Sequence, residues 1–221
     1  MNDIIRTKRL RAMIGWLGML LPWIVTLLVG MFPPSISATW YTNACTPFMI
    51  ILGSAGMLLM CYHGYDKVDD ILNTFAGIFA LFICLFPCSL INKYGVNNFK
   101  NLSDIICKYS SINNESVRIG TFLIPMYISD IIHSISAVGF FAILSYNSFF
   151  QFTKSSGELT RNKKIRNIIY RICGIGMMSS FLLFLLPYFY IKVWLIEVIA
   201  LFFFGVSWLT KANRYKWLFC D

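Results

Sequence analysis

Phe122–Phe149 reads FLIPMYISDIIHSISAVGFFAILSYNSF, and this apolar run decides the class of the chain. It is long enough for a helix that crosses a bilayer, which needs about 20 apolar residues. Yet Ser129-Asp130-Ile131-Ile132-His133-Ser134 stands in its middle. Asp130 and His133 are three apart, so on a helix they share a face. An ionisable side chain in hydrocarbon is costly unless it is neutral, paired or turned to a polar interior. Such residues are therefore functional candidates by default, and the rest of the chain is expected to be the bundle that shelters this face.

The composition agrees. Of 221 residues, 57% are hydrophobic and only 13% charged, too few charges to cover a soluble domain of this size. The expectation is an all-α membrane protein, a single polytopic domain over residues 1–221, with spans near 12–32, 46–62, 71–91, 122–149, 168–188 and 192–210. Met1–Arg11 is a basic leader. The run after it is too long for a signal-peptide core, and Gly30-Met31-Phe32-Pro33-Pro34 makes a poor cleavage site, so the first span is read as retained. The net charge of +9 does not point to nucleic acid, because the bases gather at helix ends rather than in a stripe with exposed aromatics.

Lys and Arg also orient the chain. With the N-terminus in the cytoplasm, only Lys93, Lys100, Lys108, Arg118 and Lys192 of the 19 fall outside, so the positive-inside rule gives six spans with both termini cytoplasmic. The first outer connection, Pro33–Asn43, carries hydroxyls and two aromatics but no charge. It reads either as an aromatic anchor at the interface or as a lid over a polar cavity. In the second, Asn92–Thr121, Phe99, Leu102, Ile105, Ile106 and Tyr109 recur at helical spacing against Lys100, Asp104 and Lys108, which predicts a short amphipathic helix on the membrane surface. Cys45 and Cys107 would both lie outside, where pairing is open to them.

On the cytoplasmic side, Asp66, Asp69 and Asp70 face a basic segment that includes Lys154, Lys164 and Arg166. Surface ion pairs between two hairpins are one reading, each worth about 0–1 kcal/mol. A site for an anionic ligand, a lipid headgroup or a partner protein is another. Three acids beside His63 lack second-helix ligands at a metal-binding spacing, so no metal and no cofactor are expected.

Several groups of residues carry a resemblance: Ser35-Ile36-Ser37-Ala38-x-x-Tyr41-Thr42, Tyr62-x-Gly64-Tyr65-Asp66-x-x-Asp69, Ala76-Gly77-Ile78-Phe79-Ala80-Leu81 with Phe86-Pro87, His133-x-x-x-Ala137-x-x-Phe140-Phe141, and Phe152-Thr153-Lys154 followed by Lys164-x-Arg166-Asn167-x-x-Tyr170-x-x-Cys173-Gly174. In these the chain resembles a family of small six-span bacterial membrane proteins to which no activity is attached. It is similar, more loosely, to the six-span autophagy-modulator-like membrane proteins. The resemblance implies a bacterial cytoplasmic membrane, and within the fourth span it favours His133 over Asp130.

At 1.5 Å per residue, Asp130 would lie about 12 Å, His133 about 17 Å and Glu197 about 8 Å from the outer surface. The three are therefore expected to meet in the outer half of the bundle, with Ser129 and Ser134 beside them. Such a cluster suits a small channel, carrier or membrane sensor, with a homo-oligomer supplying any transport pathway. The alternative is a structural or partner-binding subunit in which these groups only join helices. An intramembrane enzyme is disfavoured. Two histidines on opposite sides cannot make a zinc hydrolase, and Ser134 or Ser136 on the same helix as His133 is poor geometry for a serine nucleophile.

Overall fold

The computed structural model describes residues 2–64, 66–89, 118–155, 160–184 and 193–212. Six long helices account for most of them. They are α1 (Asn2–Val29), α2 (Cys45–Met60), α3 (Lys67–Leu85), α4 (Met126–Tyr146), α5 (Arg161–Phe184) and α6 (Val193–Lys211). A 3₁₀ turn, Ser37–Tyr41, lies between α1 and α2. A two-stranded hairpin, β1 (Arg118–Ile119) with β2 (Ile124–Pro125), precedes α4. The predicted amphipathic helix and Cys107 fall outside the described residues.

The helix boundaries have local causes. Helix α1 starts inside the basic leader, because Arg and Lys are good helix formers. Helix α3 is opened by Asp66, whose carboxylate accepts from the Asp69 amide at 2.9 Å, a side-chain cap for an otherwise orphan donor. The run expected from Phe122 becomes helical only at Met126. Pro125 brings no N–H, and Ile119 pairs with Ile124 in the hairpin instead. At its other end α4 widens into a π turn over Asn147–Gln151, where the Phe152 amide donates to the Asn147 carbonyl at 2.9 Å.

Four stretches are long and apolar enough to cross a membrane: Ile5–Val29, Lys67–Leu85, Met126–Gln151 and Val193–Lys211. Helix α2 is apolar but shorter, and α5 opens with Arg161, Lys163, Lys164 and Arg166. The side chains sort as they do in lipid. Leu27 is 80% exposed, and Ile50, Ile135, Ile175 and Phe202 also face outward, while the interior holds Phe48, Phe140, Phe204 and Trp208. The chain is thus a helical protein of membrane type.

Each helix packs on its neighbours in sequence and α6 returns to α1, so the six form a closed ring. Contacts such as Ser35–Glu197 and His133–Phe86 define one end of the ring, here called the loop end. Asp66–Lys154 and Asp69–Lys211 define the other, the basic end.

Small residues set the helix spacing, because association in lipid relies on close backbone approach. A Cβ on Gly77 of α3 would stand 2.5 Å from the Gly56 carbonyl oxygen of α2, and one on Gly205 of α6 would stand 2.9 Å from that of Gly15 of α1. A Cβ on Gly53 meets only the Cys84 sulfur at 4.0 Å. Overpacking costs about 1–3 kcal/mol and more where the obstacle is backbone. Gly77→Leu is therefore expected to lower the thermal midpoint sharply or to abolish monodisperse protein on size exclusion. Gly53→Ala should leave both unchanged, and equal tolerance of the two would contradict this packing.

Candidate functional site

The loop end is built around the point where α3 stops. Beyond Leu85 the chain runs through Phe86-Pro87-Cys88-Ser89, and a helix terminus in a low-dielectric interior must find partners for its last carbonyls. Side chains supply them. Trp40 Nε1 donates to the Cys84 carbonyl at 3.2 Å and the Tyr41 hydroxyl to that of Cys88 at 2.7 Å. From α4, Ser129 Oγ donates to the Pro87 carbonyl at 2.8 Å. His133 Nδ1 lies 2.8 Å from the Phe86 carbonyl. Asp130 Oδ1 accepts from the Ser89 amide at 2.7 Å. A carbonyl can only accept, so His133 carries its proton on Nδ1, which makes Nε2 the acceptor of the neutral ring. Burial, with smaller contributions from Cys88 and Asp130, pushes the Tyr41 phenol far up, so it stays a neutral donor.

The hairpin completes this seam. Gly120 has φ +76°, and a Cβ there would meet Pro87 Cδ at 2.9 Å. Glycine thus meets two demands at once, a left-handed backbone and close approach.

Glu197 of α6 stands across the ring under the 33–43 loop. Its Oε1 accepts from Ser35 Oγ at 3.0 Å and Ser37 Oγ at 3.3 Å, and its Oε2 accepts from the Ile36 amide at 2.5 Å. Two further bonds hold the same loop on α6 and α1. The Trp194 amide donates to the Pro34 carbonyl at 3.0 Å, and its Nε1 donates to Thr26 Oγ1 at 3.0 Å.

Between these structures lies a cavity of about 440 Å³. Glu197, Ser35, Ser37, His133 and Ser134 form its polar part. The remaining wall is chiefly aliphatic and aromatic, drawn from α1 to α6. Val138 of α4 and Leu182 of α5 line it while being more than half exposed on the outer surface, so the cavity reaches the ring exterior between those helices. Of the expected trio, the structure brings His133 and Glu197 to one cavity. Asp130 is engaged at the Ser89 backbone and is not part of its lining.

The basic end places the other candidates. Lys154 Nζ is 2.5 Å from Asp66 Oδ2, both side chains being more than a third exposed. That hydrogen bond, with the Asp69 amide, holds the Asp66 carboxyl below its usual range. Asp70 accepts from the Gly64 amide at 2.6 Å. Asp69 turns inward, where it meets Lys211 of α6 at 3.6 Å and Asn73 Nδ2 at 2.7 Å. Asn73 in turn accepts from Asn147 of the π turn at 3.1 Å. Lys164 is exposed and Arg166 half-buried. The charge distribution in the sequence puts Arg11 and Lys211 at this end, and Tyr62 opens its hairpin, but that the three meet is not visible there, because they are distant from one another along the chain. Among the described residues, no three His, Cys, Asp or Glu side chains converge as a metal site would require.

No protein-family model, curated protein or solved structure matches the chain.

Asp130 acts on the Ser89 amide through an oxygen that an asparagine retains. Leaving that buried donor unmatched costs about 1–3 kcal/mol. Asp130→Ala is expected to lower stability by that amount in a thermal melt and Asp130→Asn by much less. A larger loss for Asn than for Ala would show that the charge, rather than the acceptor, matters.

Proposed function

We propose that the protein is a membrane carrier or sensor for an amphipathic small molecule or lipid, which it holds in the cavity at the loop end. One observation supports this above others: a single chamber pairs a localised polar patch with walls that suit hydrocarbon. Its volume of about 440 Å³ lies within the usual ~300–1,000 Å³ of small-molecule sites. Each methylene it takes from water contributes about 0.8 kcal/mol, and Glu197, His133 and the serines offer hydrogen bonds to a headgroup. Such walls fit an acyl or isoprenoid chain better than a hydrated ion, so carriage or sensing is preferred to an ion channel. The exposed lining residues Val138 and Leu182 mark a lateral entrance from the bilayer between α4 and α5.

In this reading all six helices cross the membrane, with the basic end in the cytoplasm as the distribution of Lys and Arg requires. The membrane is the cytoplasmic membrane of a bacterium, following the family resemblance. A second reading, a structural or partner-binding subunit, is favoured by the work that Ser129, Asp130 and His133 do at the end of α3.

Binding separates the two. Full-length protein in nanodiscs is titrated with a single-chain amphiphile bearing an environment-sensitive fluorophore. Wild type should bind saturably, and Ala137→Trp, which fills the cavity, should weaken binding by about tenfold or more while keeping the thermal midpoint. Absence of saturable binding to folded wild type, or equal binding by Ala137→Trp, would favour the structural reading.

A further inference from the structure

At the basic end, cations from three helices gather on one aromatic shelf. Lys211 Nζ of α6 lies 3.6 Å from the Phe152 ring centroid and 5.4 Å from that of Tyr62. Arg11 of α1 stands 5.5 Å over the same Tyr62 ring. Lys163 of α5 is 5.8 Å from the Tyr170 centroid and donates to the Phe152 carbonyl at 3.0 Å. The shelf is continuous: Tyr62 and Phe152 both pack edge-on against Trp208, at 5.0 and 5.3 Å, and Phe152 packs against Tyr170 at 5.5 Å. Such rings attract cations through their faces but supply no compensating charge.

Among the described residues the positive charge of Arg11, Lys163, Arg166 and Lys211 is only partly offset. Asp69 meets Lys211, and Asp70, which accepts from the Gly64 amide, keeps its charge near Tyr62; Asp66 pairs with Lys154 at the surface. Lys163 feels the excess directly, since burial and the charge of Arg166, one turn along α5, hold its ammonium below the usual lysine range. Donors are also left over. Arg11 Nε is buried with no hydrogen-bond partner among the described residues. The Tyr62 hydroxyl, only 2% exposed, has the Arg11 guanidinium beside it as a donor but no acceptor for its own proton among the described residues. Burial pushes that phenol up to about 12, against the pull of Arg11, so it remains a protonated donor at neutral pH. Unused donors amid excess positive charge are what an oxyanion satisfies, above all a phosphate, which accepts several charge-assisted hydrogen bonds at once.

We propose that Arg11, Tyr62 and Lys163, with the charge of Lys211 behind them, form a binding site for a phosphate group at the basic end of the ring. The phosphate belongs either to an anionic lipid headgroup or to a soluble phosphate compound. This site is separate from the loop-end cavity and stands whether or not that cavity binds an amphiphile.

The test uses full-length protein in nanodiscs of phosphatidylcholine alone, with two additions made separately: inorganic phosphate in solution, or phosphatidic acid in the bilayer. Binding is read as a rise in thermal midpoint and as retained mass in native mass spectrometry. Wild type should respond to at least one addition. A response to phosphatidic acid alone assigns the lipid source, and a response to inorganic phosphate assigns the soluble one. Arg11→Gln/Lys163→Gln should bind about tenfold more weakly or not at all. Tyr62→Phe keeps the shelf and removes one donor, so it should weaken binding while staying folded. Lys154→Gln, on the exposed ion pair, should bind as wild type. The proposal is overturned if folded wild type responds to neither addition, or if Arg11→Gln/Lys163→Gln responds undiminished.

Discussion

The fold turns on how a helix is allowed to end inside a bundle that belongs in lipid. Helix α3 stops at Leu85, and the backbone from Cys84 to Ser89 would otherwise expose polar groups where each unsatisfied one costs several kcal/mol. Five side chains answer it: Trp40 and Tyr41 from the loop after α1, and Ser129, Asp130 and His133 from α4. The seam ties α3 to α4 on one side and to the 33–43 loop on the other. That loop is bound in turn to Glu197 and Trp194 of α6. The polar groups that look most like machinery in the sequence are therefore also the ones that close the ring, and the cavity exists because that closure holds its walls apart.

Much of this was legible in the sequence. Each of the six apolar runs overlaps one of the six helices. The polar stretch in the fourth run does mark the important face. What the sequence could not convey is which partner each polar group takes. The three-residue spacing of Asp130 and His133 suggested one shared task. In the folded chain they cap adjacent parts of the same broken backbone, and only His133 also reaches the cavity. Glu197 was visible as a buried carboxylate, but its partners Ser35 and Ser37 lie 162 and 160 residues away, beyond any local pattern. The 33–43 loop reads in the sequence as an anchor or a lid, and two of its hydroxyls, Ser35 and Ser37, join Glu197, His133 and Ser134 in the polar part of the cavity.

The basic end shows the same limit from the other direction. Counting charges paired Asp66, Asp69 and Asp70 with the segment after α4, and the Asp66–Lys154 contact follows that logic. Asp69 instead turns into the bundle to meet Lys211, because its position three residues past the Asp66 cap places it on the inner face of α3. The π turn after Tyr146 then swings Asn147 inward to the Asn73 amide. A register change of one residue in a helix is invisible to apolar periodicity, yet it decides which side chains line this end. The two ends thus differ in chemistry: hydroxyls, a carboxylate and an imidazole at one, stacked aromatics under cations at the other.

The central claim is that the loop-end chamber is a binding site rather than a packing defect. It is tested most directly by native mass spectrometry of the protein released from nanodiscs, with collisional activation raised until loosely attached bilayer lipids are gone. The account predicts that wild type keeps one amphiphile mass after its annular lipids have left. A bare protein mass at every activation energy that strips annular lipid would contradict it.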